Sequence, residues 1–138
     1  MNTKKAQWLS KGEDIKKTLH TLSYRGTGSN SVFFTLGETE TLTLSVETDM
    51  GYAFLFLHTD REYIAIKEDC ISVRTLKHHF VLPLDEPVTL LRCVKEGPEI
   101  RFFSAEREIL RAEDEAYRGS CSVGLLTEGC SKAVLEVF

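Results

Sequence analysis

From about residue 31 to the C-terminus, apolar and polar residues alternate with a period of two, and turn residues interrupt the pattern every few positions. An α-helix repeats every 3.6 residues and cannot place such a series on one face, whereas a half-buried strand does so automatically. Leu42, Leu44 and Val46 alternate with Thr41, Thr43 and Ser45, which predicts a strand with one wet face. Asp49-Met50-Gly51 supplies a turn. The segment Tyr52 to His58 is apolar on both faces, with Phe54 and Phe56 on one and Ala53, Leu55 and Leu57 on the other. After Thr59-Asp60 the chain returns from Arg61 to Lys67 with Ile64 and Ile66 inward, and after Glu68-Asp69 it continues through Ile71 and Val73.

Pro83 and Pro87 break the pattern ahead of a strand from Val88 to Lys95. A turn at Glu96-Gly97-Pro98 leads to Glu99 to Ser104, then to a short strand from Arg107 to Arg111. The acidic stretch Ala112 to Ser120 precedes Cys121 to Thr127, a Glu128-Gly129 turn and a last strand from Lys132 to Phe138. About ten to twelve antiparallel strands in one domain-sized chain must stack as a two-sheet sandwich or close as a barrel. With 138 residues, 42% hydrophobic and 28% charged, the composition is that of an ordinary globular domain. Residues 1–20 stand apart as a segment packing on the β-sandwich domain of residues 21–138. Within it Ile15, Leu19 and Leu22 have i, i+4, i+7 spacing, which fits a short N-terminal helix, although an irregular edge strand fits too.

The order Val88 to Val94, Gly97, Ile100 to Ser104, Glu108-Ile109-Leu110, Ser122-Val123-Gly124-Leu125 and Ala133 to Phe138 resembles the end of concanavalin A-like jelly rolls. The similarity is strongest to the compact modules that accompany bacterial glycosidases, and it covers residues 88 to 138. It implies a sandwich of jelly-roll type. For function it implies little, since that superfamily holds glucanases, lectins and inert modules alike. Gly124, inside an apolar strand, suits a place where another backbone or a large side chain comes close. The structural alternative is a lipid-binding barrel, whose interior would need converging Arg and Tyr residues such as Arg92, Arg101 and Tyr117.

Much chemistry is disfavoured by the same residues. Retaining glucanases of the resembled fold carry two acids on one strand face, in a Glu-x-Asp-x-x-Glu pattern, to set two carboxyl groups about 5.5 Å apart. This chain has no such strand motif: Glu38 and Glu40 flank a turn, and Glu113-Asp114-Glu115 reads as a solvated loop. The four cysteines, Cys70, Cys93, Cys121 and Cys130, form no CxxC pair, so free thiols are expected and no zinc site. His20, His58, His78 and His79 lack converging metal-ligand spacing, and no structural calcium is expected from Asp49, Asp60, Glu68 and Asp69. Gly26-Thr27-Gly28-Ser29-Asn30 lacks the lysine and following helix of a phosphate loop and reads as a loop at the sandwich edge.

A non-catalytic binding module remains. A pyranose stacks on flat rings flanked by polar groups, and Trp8, Tyr24, Tyr52, Tyr63 and Tyr117, with Asn30 in the edge loop, are the candidate glycan contacts. The alternative is a protein-interaction module, a homodimer formed through Leu55 and Leu57, because a sandwich buries only one face of each strand. A net charge of −4 without basic or acidic blocks argues against nucleic acid and membrane surfaces as partners. No cofactor is expected. The first residues carry charge but no apolar signal-peptide core, so the expected location is cytoplasmic.

Overall fold

The structure, a computed structural model, describes residues 9–11, 16–17, 20–57, 62–75 and 77–138. Its strands are β1 (Leu9–Lys11), β2 (Lys16–Lys17), β3 (Thr21–Gly26), β4 (Asn30–Leu36), β5 (Thr39–Thr48), β6 (Tyr52–Leu57) and β7 (Tyr63–Lys67). They continue as β8 (Cys70–Arg74), β9 (His79–Pro83), β10 (Leu90–Glu96), β11 (Glu99–Ser104), β12 (Arg107–Glu113), β13 (Cys121–Thr127) and β14 (Ser131–Val137). A 3₁₀ turn, Glu115–Tyr117, follows β12.

Two seven-stranded antiparallel sheets result. The first has the order β1-β4-β13-β6-β7-β8-β9 and the second β12-β11-β10-β5-β14-β3-β2. Successive strands β4, β5 and β6 lie in the first, second and first sheets in turn, so the chain crosses between layers as a jelly roll does. Each sheet ends on its own outer strands, so the fold is a sandwich and not a closed barrel.

The alternation read from sequence is what fills the interior. Leu42, Leu44 and Val46 of β5 are buried, and the intervening Thr41, Thr43 and Ser45 face solvent. Phe54 and Phe56 of β6 are fully buried and meet Phe102 of β11 edge to face, both at 6.3 Å between centroids. That contact joins the two sheets across the core.

Among the described residues of the N-terminal segment there is no helix, and short edge strands stand in its place, the other reading its spacing allowed. Lys16–Lys17 is a strand that pairs with β3, and Leu22 lies inside β3 opposite Lys17. The competing period of two wins here, because Leu22 and Tyr24 are buried on one face while β2 and β14 satisfy the β3 backbone on both sides. Ile15 and Leu19 lie outside the described residues.

Candidate functional site

The outward face of the first sheet carries the most distinctive surface. Antiparallel register brings its outward residues into rows across the strands. One row runs Phe33, Gly124, Leu55, Ala65, Ser72, Val81. The next runs Ser31, Leu126, Ala53, Lys67, and the row on the other side runs Thr35, Ser122, Leu57, Tyr63, Arg74, His79. Small side chains at Ala53, Ala65 and Ser72 lower the middle of this face. The result is a trough of about 390 Å³ lined by residues including Leu55, Leu57, Tyr63, Lys67 and Leu126.

Its floor is shielded although it faces outward. Ala65 is 3% exposed and Ser72 7%. Ser72 does not waste its hydroxyl, which lies 3.1 Å from Nε2 of His79 on β9. Tyr63 stands at the rim, paired in register with Leu57 on one side and Arg74 on the other. One aromatic ring, aliphatic walls and a few hydrogen-bonding groups at the edge are what a small ligand with both apolar and polar surfaces needs. The described lining contains no carboxylate.

A second depression, about 680 Å³, lies at the end of the sandwich between Arg25, Thr27, Glu47, Thr48, Asp49, Ser131 and Lys132. It is larger but open, and it presents no ring. Several groups in and beside it hold the loops together. Thr48 donates from Oγ1 to the Glu128 carbonyl at 2.6 Å, Ser29 donates to the Glu128 carboxylate, and an Asp49 oxygen accepts the Cys130 N–H at 2.8 Å. The loop read as a ligand-docking edge is thus braced by its neighbours.

The candidate glycan contacts separate. Tyr63 is at the trough. Tyr24 is buried, with its hydroxyl 2.5 Å from Thr127 Oγ1, and burial pushes its ionisation up. Tyr52 is buried, donates to the Val88 carbonyl and is shifted strongly upward by burial. Tyr117 packs edge to face on Phe56 at 5.4 Å, closing the core beneath the 3₁₀ turn. Asn30 is buried and its amide donates to the Thr27 carbonyl. At these four positions the side chain is engaged with the sandwich or its loop, Tyr117 being only partly buried. Trp8 lies outside the described residues. Leu55 and Leu57 are half-buried in the trough wall.

Other groups singled out in the sequence also have structural partners. Asp114 caps the 3₁₀ turn through the Ala116 N–H, and Glu115 pairs with Arg118 at 3.0 Å. Glu40 is buried and accepts the Gly37 N–H at 2.5 Å. All four cysteines are free; Cys121 opens β13 and Cys130 directly precedes β14. Among the described residues, no three His, Cys, Asp or Glu side chains converge to hold a metal ion. No described helix is long and apolar enough to cross a membrane.

No protein-family model matches the chain, and no curated protein matches it in sequence. Solved structures do match in fold. The carbohydrate-binding module CBM66 from Bacillus subtilis is 14% identical with a TM-score of 0.52, over 95% of this chain and 92% of that one. The metal-free Emp46p carbohydrate recognition domain is 9% identical with a TM-score of 0.56, over 96% and 88%. A family 16 endo-glucanase from Bacteroides ovatus is 7% identical with a TM-score of 0.57, over 97% and 95%. The fold is therefore that of the concanavalin A-like jelly rolls, in which binding modules and hydrolases both occur.

Proposed function

We propose that this chain is a non-catalytic binding module that takes a saccharide in the trough on the outer face of its first sheet. The observation that carries the reading is the trough itself. Its small-residue floor and leucine walls offer aliphatic contact to the C–H face of a pyranose, and Tyr63 gives that face a ring to stack on. Lys67 and Ser72 supply hydrogen-bonding groups for hydroxyls within the same lining, and its volume falls in the range usual for small-ligand sites. Two of the similar folds are carbohydrate-binding by description, which supports a binding role in general terms. The non-catalytic part of the reading rests on the missing pair of strand-borne acids in the described lining.

A second reading, a homodimer formed through this same face, is supported by the apolar series Ala53, Leu55, Leu57 and Leu126. A glycan array followed by calorimetry tests the first. Binding should weaken roughly tenfold in Tyr63→Ala, the effect of losing one stacked ring. An array without a ligand, or binding indifferent to Tyr63, overturns it.

A further inference from the structure

The outermost strand of the first sheet differs from every other described sheet edge. β9 ends the sheet, and among the described residues no strand pairs with its far side. Its residues are His79-Phe80-Val81-Leu82-Pro83, without Asp, Glu, Lys or Arg, and Phe80, Val81 and Leu82 are 44%, 54% and 39% exposed. The other described edges carry charge: Lys11 in β1, Lys16 and Lys17 in β2, and Arg107, Glu108, Arg111 and Glu113 in β12. Charge is a usual protection of an edge, and β9 has no Asp, Glu, Lys or Arg.

We propose that β9 is an interaction edge that pairs antiparallel with β9 of a second copy of this chain, centred on Val81. The hydrogen-bond parity fits. The His78 carbonyl accepts from Thr75 and the Leu84 N–H donates to Asp69, both at 2.8 Å, so residues 78, 80, 82 and 84 turn their backbone groups toward β8. His79, Val81 and Pro83 therefore turn theirs outward. Two Val81 residues facing one another exchange both N–H···O bonds, and each His79 N–H reaches the Pro83 carbonyl of the other copy. Pro83 lacks an N–H only on the free side, where no bond to β8 is lost.

The side chains are self-complementary in the same register. Phe80 of each copy lies beside Leu82 of the other, continuing the apolar inner layer that Ile71 and Val73 begin. Beyond the strand ends, Lys77 in the Thr75–His78 turn comes to the same end of the pair as Asp85 of the second copy. Both are exposed, and neither makes an ion pair among the described residues. That charge match, repeated by the two-fold axis, favours a second copy over an unrelated strand. The proposal concerns a different surface from the trough and stands whether or not a saccharide binds there.

Sedimentation of the full chain from low to high micromolar concentration tests it. The wild type should form a dimer that goes no further, because both free edges are consumed. Val81→Lys should be monomeric at every concentration, with unchanged circular dichroism, since the side chain already faces solvent. Lys77→Asp should weaken the dimer about fivefold, and adding Asp85→Lys should restore it. If Val81→Lys fails to fold, the charge-swap pair alone decides. A wild type monomeric throughout overturns the proposal. So does a dimer indifferent to Val81→Lys and to the charge swap, or one dispersed by Leu55→Glu alone.

Discussion

The ring of Phe33 lies against the bare backbone of Gly124, so close that a Cβ on the glycine would stand 2.6 Å from the ring atoms Cδ1 and Cε1. The two residues are cross-strand neighbours in β4 and β13, on the outward face of the first sheet. The ring covers a backbone that would otherwise be open to water, and the missing side chain lets it lie flat. Gly124→Ala should therefore push Phe33 off the sheet and cost about 1–2 kcal/mol, despite the better strand propensity of alanine. In a Phe33→Ala background the same change should cost nothing or stabilise. Urea unfolding of the four proteins checks this as a double-mutant cycle, and additive effects would refute the packing account.

Period-two patterning made the layers of this fold legible. Phe54 and Phe56 had to face one way and Leu55 and Leu57 the other, and they do. The close approach at Gly124 was legible too, because a glycine inside an apolar strand has few other uses. The trough was not. Its floor comes from Ala53, Ala65 and Ser72, which lie on separate strands and become neighbours only through register and strand order. The burial of Tyr24 and Tyr52 was not legible for a related reason. A tyrosine has a wide apolar body and a polar tip, and whether the tip finds an interior acceptor, as Tyr52 finds the Val88 carbonyl, is decided by tertiary contacts.

The β11–β12 turn holds a strained residue. Ala105 has φ of 53°, in the left-handed region that favours glycine, while its N–H donates to the Leu90 carbonyl at 2.9 Å. The turn keeps this conformation because that hydrogen bond ties it to β10. Ala105→Gly should stabilise the protein by about 0.5–1 kcal/mol, because relief of the left-handed strain exceeds the extra entropy of the unfolded chain. Thermal unfolding would show a small rise in Tm, and a fall would mean that Ala105 is not strained.

Alkaline pH should destabilise the fold. Burial pushes up the ionisation of Cys93, Cys121, Tyr24, Tyr52 and Tyr117. The folded state then holds protons that the unfolded chain releases, so stability present at neutral pH is lost as pH climbs past the ordinary thiol and phenol values of about 8.5 and 10. Lys95 acts in the opposite sense, since burial pushes its ammonium down even as Nζ donates to the Gly97 carbonyl at 2.8 Å. The shifts of Cys93 and Tyr52 are large, so the raised groups outweigh Lys95. Urea midpoints should fall steadily between pH 8 and pH 11, and Cys93→Ala should flatten the early part of that fall. A midpoint constant across the range would contradict the assignment.

The two faces of β6 give the sharpest mutational contrast. Phe56 is fully buried and touches the rings of Phe102 and Tyr117, so Phe56→Ala opens a core cavity and should cost about 3–5 kcal/mol. Leu55, one residue earlier, points the other way into the trough between Gly124 and Ala65. A carboxylate there still reaches solvent through the trough mouth, so Leu55→Glu should leave the protein folded at a cost of only about 1–2 kcal/mol. It should abolish saccharide binding, because a charged, hydrated group would occupy the apolar floor on which the sugar ring has to lie. Tyr63→Ala should weaken binding with a still smaller effect on stability, since that ring sits at the rim. Denaturation and calorimetry on the three variants separate the roles: core loss for Phe56, binding loss for Leu55 and Tyr63. If Leu55→Glu instead turned a dimer into a monomer and left glycan affinity unchanged, this face would belong to a second subunit and the saccharide reading would fall.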